Sequence, residues 1–270
     1  MKVYMMTDIE GVAGIINGAD WVHPHSKYYE KGKEFLTKEV NAAIDGLFAA
    51  GATEVVVQDG HGSGAINIDL LDPRAKLQRG WDTSLGGAYP FGLNESFDVQ
   101  VYVGQHPKAG TPYGHLCHTG NMNVIDKSVN GLSIGEFGEG VLLASVYGVK
   151  TIFASGCLAF TKEAQSLVEG IVTVAVKEGV TPGSGDECDE QTYRNRNTGA
   201  IHLQPQKARE LIREGAYNAL MKYKENPESF KSVKLDPPYS KLVVYRCAAG
   251  KIGYVVERNG YDNLAEVLNA

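Results

Sequence analysis

No two of the four cysteines, Cys117, Cys157, Cys188 and Cys247, form a CxxC pair, which leaves no zinc-ribbon pattern and no disulfide framework. Cys157 and Cys247 read as small buried hydrophobes, whereas Cys117 lies among histidines. Basic clusters are missing and the net charge is −6, so nucleic acid is not the expected partner. No apolar run approaches the roughly 20 residues of a membrane span, and the first residues read as a strand with no signal segment. A cytoplasmic protein without a membrane partner is the expectation. Internal repeats and low-complexity tracts are lacking as well.

What remains is a chain of 270 residues with ordinary globular composition, long enough for a full core. Its stretch Met5-Met6-Thr7-Asp8-Ile9-Glu10-Gly11 organises the rest. Lys2 to Met6 predicts a short buried strand, and Asp8 and Glu10 then share a face, because side chains two apart along extended backbone point the same way. Two neighbouring carboxylates repel, so a metal cation, a basic side chain or a shared proton is expected between them.

The apolar positions Leu36, Val40, Ala43, Ile44 and Leu47 predict a helix over 28–50. Thr53 to Gln58 is a β-branched run that suits a strand buried on both faces, and it delivers Asp59-Gly60-His61-Gly62-Ser63-Gly64. Asp59 is expected to orient the His61 ring. His23 and His25 read as exposed loop histidines, Lys76 to Gln78 as a short strand, and 86–92 as loop. Phe97 to Val103 predicts the next buried strand, ending in Gly104-Gln105-His106. The loop that follows, to Thr119, is too rich in reactive side chains for a simple connector. Asn130-Gly131 between two β-branched runs predicts a hairpin, after which Gly135-Glu136 opens a helix to about Tyr147. A strand over 149–154, a helix from Lys162, a strand over 171–176, an exposed irregular loop over 179–199 and a helix from Pro205 to about Lys224 complete the pattern. Strand-like runs at 242–247 and 252–256 follow. The alternation predicts a single α/β domain, a three-layer α/β/α fold with a mostly parallel central sheet. Residues 1–178 form its metal-binding core and residues 200–270 a C-terminal subdomain.

In open α/β sheets ligands sit beyond the carboxyl ends of the strands. Three predicted strands deliver Asp8 with Glu10, then His61, then His106 to that edge, and Glu136 can add a further carboxylate. Three acids and two imidazoles exceed one open tetrahedral site but fit two metals sharing a carboxylate, with Asp8 as the expected bridge. The mixed nitrogen and oxygen set favours zinc, with manganese or cobalt as alternatives.

At these residues the chain resembles the zinc D-aminopeptidases. The likeness rests on the Asp-x-Glu-Gly element at Asp8, Glu10 and Gly11, on His61 and His106, on Ala-Gly-Thr-Pro at 109–112, on Gly135-Glu136 and on the segment from Val172 to Lys177. The resemblance implies two zinc ions per subunit held by Asp8, Glu10, His61, His106 and Glu136, and a catalytic histidine best matched by His118, with His115 and Cys117 as neighbours. It implies hydrolysis of the N-terminal peptide bond of short peptides, with D-specificity, and a ring-shaped homo-oligomer, a decamer. The family usually has Ser where Met6 stands, and the 183–197 loop is longer than usual. An amidase using the same metals on amino-acid amides or cell-wall peptides, a non-catalytic metal-dependent peptide-binding protein, and a cysteine hydrolase through Cys117 are the competing readings.

Overall fold

The computed structural model describes residues 1–80, 89–247 and 253–270. In chain order the elements are β1 (Lys2–Thr7), α1 (Gly18–Trp21), α2 (Tyr29–Ala49), β2 (Glu54–Asp59), β3 (Lys76–Gln78), β4 (Val99–Gln105), β5 (Val124–Val129) and β6 (Leu132–Ser133). They continue with α3 (Glu136–Val146), β7 (Lys150–Cys157), α4 (Leu158–Leu167), β8 (Val168–Glu169), β9 (Val172–Gly179), α5 (Glu190–Arg196) and β10 (Ala200–His202). The last are α6 (Pro205–Glu225), β11 (Lys231–Ser232), β12 (Tyr239–Tyr245), β13 (Val255–Tyr261) and α7 (Leu264–Asn269).

A seven-stranded sheet of order β10-β9-β7-β4-β1-β2-β3 runs through the middle. Every pairing in it is parallel except that of the edge strand β10 with β9. Period-two alternation sends successive side chains to opposite faces. Val3 and Met5 join Val55, Val57, Val99 and Val101 beneath α2 and α6, where Leu36, Val40, Ile44, Ile212 and Leu220 close one core. Tyr4 and Met6 face the other way, into a second core with Tyr102 of β4 and with Phe137, Val141, Phe160 and Val267 of α3, α4 and α7. These are the three layers that the strand and helix alternation predicts.

The hairpin forms as its turn chemistry requires: Asn130 and Gly131 both take left-handed backbone, φ 48° and 77°, the requirement of a two-residue type I′ turn. β12 pairs with β5 and β13 with β12, so the C-terminal strands extend that hairpin into a four-stranded antiparallel sheet. Residues 200–270 are thus distributed. β10 edges the main sheet, α6 packs beneath it against α2, and β12, β13 and α7 build on the hairpin side.

Several sequence expectations need correction. The helix after β7 starts at Leu158 and not at Lys162, because it follows β7 directly with Cys157 as its N-cap. The 179–199 stretch is not simply exposed loop. It contains α5, whose N-cap Asp189 accepts from Thr192 N, and it buries Tyr193 and Asn197. Cys247 is exposed, lying past the end of β12, while Cys117 and Cys157 are buried. The last strand spans Val255–Tyr261, later than 252–256, and position 252 lies outside the described residues, as do residues 86–88 of the expected 86–92 loop.

Candidate metal centre

β3 follows β2 on one side of β1, after which the chain crosses to place β4 on the other. That reversal opens a crevice at the carboxyl ends of β1 and β4, the topological switch point where α/β sheets bind ligands. The two strand ends are pressed together there. Gly11 N donates to Gly104 O at 2.7 Å and Asp8 N to Val103 O at 3.0 Å. A Cβ on Gly104, whose φ is +78°, would lie 2.1 Å from Asp8 O, and one on Gly11 would lie 2.1 Å from Gln105 O. Only glycine permits that approach, which explains why both acidic and histidine motifs carry one.

Asp8 sits between two groups of ligating side chains. Its Oδ1 is 3.2 Å from His61 Nδ1 and its Oδ2 is 3.2 Å from His106 Nε2. On one side Glu10 Oε2 is 3.0 Å from the same His61 nitrogen. On the other, Glu136 Oε2 is 3.5 Å from His106 Nε2, and Glu136 Oε1 is 3.8 Å from His118 Nε2. The rings of His106 and His118 stack with centroids 3.9 Å apart. Asp8, Glu10 and His61 form one group whose ligand atoms could surround an ion, and His106, His118 and Glu136 form another. All five side chains read from strand and helix ends, with His118, therefore meet in one place.

Each ring is oriented by a backbone carbonyl, which fixes the nitrogen it turns inward. Val22 O takes the Nε2–H of His61 at 2.7 Å, leaving Nδ1 toward the acids. Pro107 O and Leu116 O take the Nδ1–H of His106 and His118, each at 2.9 Å, leaving Nε2 inward. Such outer contacts set tautomer and ligand basicity. Asp59 does not orient His61, contrary to expectation. Its carboxylate accepts from Ala65 N at 2.7 Å and Arg79 Nη2 at 2.5 Å, fastening the glycine-rich turn from behind.

The electrostatics are those of a site built for cations. Burial, reinforced by the neighbouring Glu10, lifts Asp8 to about 7. Burial also pushes Glu10 upward, but His61 outweighs it and holds Glu10 well below the carboxylate range. His106, opposed by burial but drawn up by Glu136 and Asp8, reaches about 10, while Glu136 falls to about 2 beside it. The acids and imidazoles thus face one another across the space that a metal would take. Glu10 Oε2 is buried without a hydrogen bond despite its nearness to His61. That orphaned oxygen, together with a hard-oxygen and imidazole donor set, fits zinc.

The centre opens into a cavity of about 930 Å³ lined also by Asp20, His23, Tyr89, Glu139 and Arg194. His23, though exposed, lines this cavity. Sequence reasoning missed Arg194, Asn195 and Thr198; the available signal was Asp189-Glu190 as a helix start, with Tyr193 its one buried side chain. His115 is buried elsewhere, its Nε2 on Ile16 O at 3.0 Å, and burial beside Lys177 lowers it to about 2. Cys117 is buried against Tyr193 Oη and Asn197 Nδ2, both at 3.3 Å, with its thiol pushed up to about 11.

Residues 1–249 match the family model described as D-aminopeptidase. The chain belongs to the D-aminopeptidase family. A curated member, the D-aminopeptidase of Bacillus subtilis (strain 168), is 31% identical over 186 residues, 67% of this chain. That alignment spans 65% of the relative's own length. The family fold is also seen in a solved structure, the "Zn-dependent D-aminopeptidase DppA from Bacillus subtilis, a self-compartmentalizing protease", which covers 100% of this chain and 94% of its own. The TM-score is 0.82 at 24% identity, a likeness of fold.

Proposed function

We propose that the protein is a binuclear zinc aminopeptidase that removes the N-terminal residue, a D-amino acid, from short peptides. The observation that carries the reading is Asp8, whose two oxygens face His61 and His106 and so tie both ligand groups together. Asp8, Glu10 and His61 would hold one ion, and Asp8, His106 and Glu136 the other. Bound zinc supplies Lewis acidity, polarising the scissile carbonyl and lowering the pKa of water.

The chain's own residues do the rest. His118, anchored through Nδ1 to Leu116 O, presents Nε2 to the cavity, and burial beside His106 lowers its basicity. A neutral Nε2 takes up a proton as the nucleophile attacks and returns it to the departing amine as the C–N bond breaks. Glu136 Oε1, fixed by Gly120 N at 2.8 Å, faces that imidazole and steadies it when charged. D-selectivity and assembly into a closed ring, a decamer, extend the family likeness to this chain, and a cytoplasmic location is part of the same proposal. Among the described residues no helix is long and apolar enough to cross a membrane.

The test is a panel of D-alanyl and L-alanyl dipeptides and D-alanine amide, assayed before and after chelation. Chelator-sensitive release of D-alanine from the D-alanyl dipeptide supports the reading. Turnover of the amide alone would make the protein an amidase, and binding without turnover a peptide-binding protein.

A further inference from the structure

We infer that Arg194 recognises the C-terminal carboxylate of the substrate, so that the site takes short peptides with a free acid end in preference to their amides. The inference rests on the aminopeptidase reading and names a substrate feature which that reading leaves open. The cavity wall is strongly acidic, with Asp8, Glu10, Asp20, Glu136 and Glu139 all reaching it. Arg194 is the one lysine or arginine among the described lining residues. A peptide whose first bond lies at the metal centre brings a carboxylate at its far end; with Asp8, Glu10 and Glu136 committed to metal, Asp20 and Glu139 on that wall repel it and the Arg194 guanidinium attracts it.

The arginine is held in place from below. Tyr193, the preceding residue, is buried, its hydroxyl accepting from Gly110 N at 2.8 Å and its ring lying 3.5 Å under the Arg246 guanidinium. Asn197 O accepts from Leu116 N at 2.9 Å, and Asn197 Nδ2 reaches Cys117. Thus α5 is docked on the loop that carries His118, which sets the place of the Arg194 backbone relative to the catalytic end. Among the described residues its hydrogen-bond partner is Glu190, one turn earlier, through Nη2 at 2.8 Å. Both side chains are more than a third solvent-accessible, 40% and 34%, and such surface pairs contribute little. A substrate carboxylate can therefore displace Glu190 or share the five-donor fork with it. Arg194 and His23 line the same cavity as Glu10 and His61. Asn195 and Thr198 add uncharged polar groups on the same wall.

The experiment compares kcat/KM for a D-alanyl dipeptide and its C-terminal amide in the zinc-loaded enzyme, in Arg194→Met and in Arg194→Lys. A charge-assisted contact predicts that the wild type prefers the acid by about tenfold to a hundredfold. Arg194→Met should bring the two substrates to within about twofold through a higher KM for the acid, with the amide unchanged. Arg194→Lys should recover part of the preference, since a point charge replaces the fork. Binding of the same pair to the slowed variant His118→Ala, followed by calorimetry at low temperature, should give the same ratios. Equal use of acid and amide by the wild type, or an equal loss on both in Arg194→Met, overturns the role of Arg194 and leaves the peptidase reading intact. No turnover and no binding of either by the wild type overturns the peptidase reading, and this inference with it.

Discussion

Replacing Cys117 by alanine separates the metal-centred account from a thiol-centred one. The thiol is 1% exposed, touches Tyr193 Oη and Asn197 Nδ2 at 3.3 Å, and points its hydrogen toward Thr111 O at 3.7 Å. Burial lifts it to about 11, so at pH 7 about one molecule in 10⁴ carries the reactive thiolate. A nucleophile in that state would be crippled, whereas a packing residue would serve well. Removing it leaves the Asn197 amide and the Tyr193 hydroxyl short of a partner and opens a small void, a loss of about 1–2 kcal/mol. Chemical denaturation should show that loss, and kcat/KM on a D-alanyl dipeptide should stay within about threefold of wild type. A thiol reagent should label Cys188 and Cys247 quickly and Cys117 and Cys157 only on unfolding, in line with their exposure. Abolished turnover with full zinc content and an intact fold would refute this reasoning and restore a cysteine nucleophile.

His118→Ala should retain metal while lowering kcat on the order of 10²-fold or more; loss of an ion in that variant would make His118 a ligand, as its place in the second group allows. Glu39→Gln addresses stability. Burial raises the Glu39 carboxyl from 4.5 to about 7, so the native state binds its proton more tightly than the unfolded chain. Stability therefore falls as pH rises from about 4.5 to 7. The glutamine keeps an acceptor for Ala13 N, which Glu39 Oε1 receives at 2.9 Å, and removes the ionisation. Denaturation across pH should show the variant ahead by on the order of 3 kcal/mol above pH 7 and level with wild type near pH 4. A constant difference at all pH values would contradict that origin.

Much of this site was legible because it lies at the ends of strands whose burial is written in β-branched runs. Residues two apart after β1, and single histidines after β2 and β4, must emerge at one sheet edge once the strands are parallel neighbours. The place of His118 was not legible from pattern. Its loop turns back through left-handed backbone at Tyr113 and Leu116, φ 58° and 53°, conformations that neither residue type advertises, and only the family likeness singled it out. The contribution of α5 was hidden for another reason. A seven-residue helix with one buried side chain, Tyr193, has too little apolar periodicity to stand out from polar loop. Asp59 misled because adjacency in sequence suggested a partner for His61, whereas the close-packed glycine turn sends its carboxylate to Ala65, Ile66 and Arg79.

The central claim is that Asp8 joins two metal sites, and zinc content per chain, measured on wild type and on Asp8→Ala after removal of loose metal, tests it most directly. The account predicts two ions per wild-type chain and loss of both in the variant, because Asp8 contacts both ligand groups. A single ion in the wild type, or one ion kept at full affinity in Asp8→Ala, would contradict it.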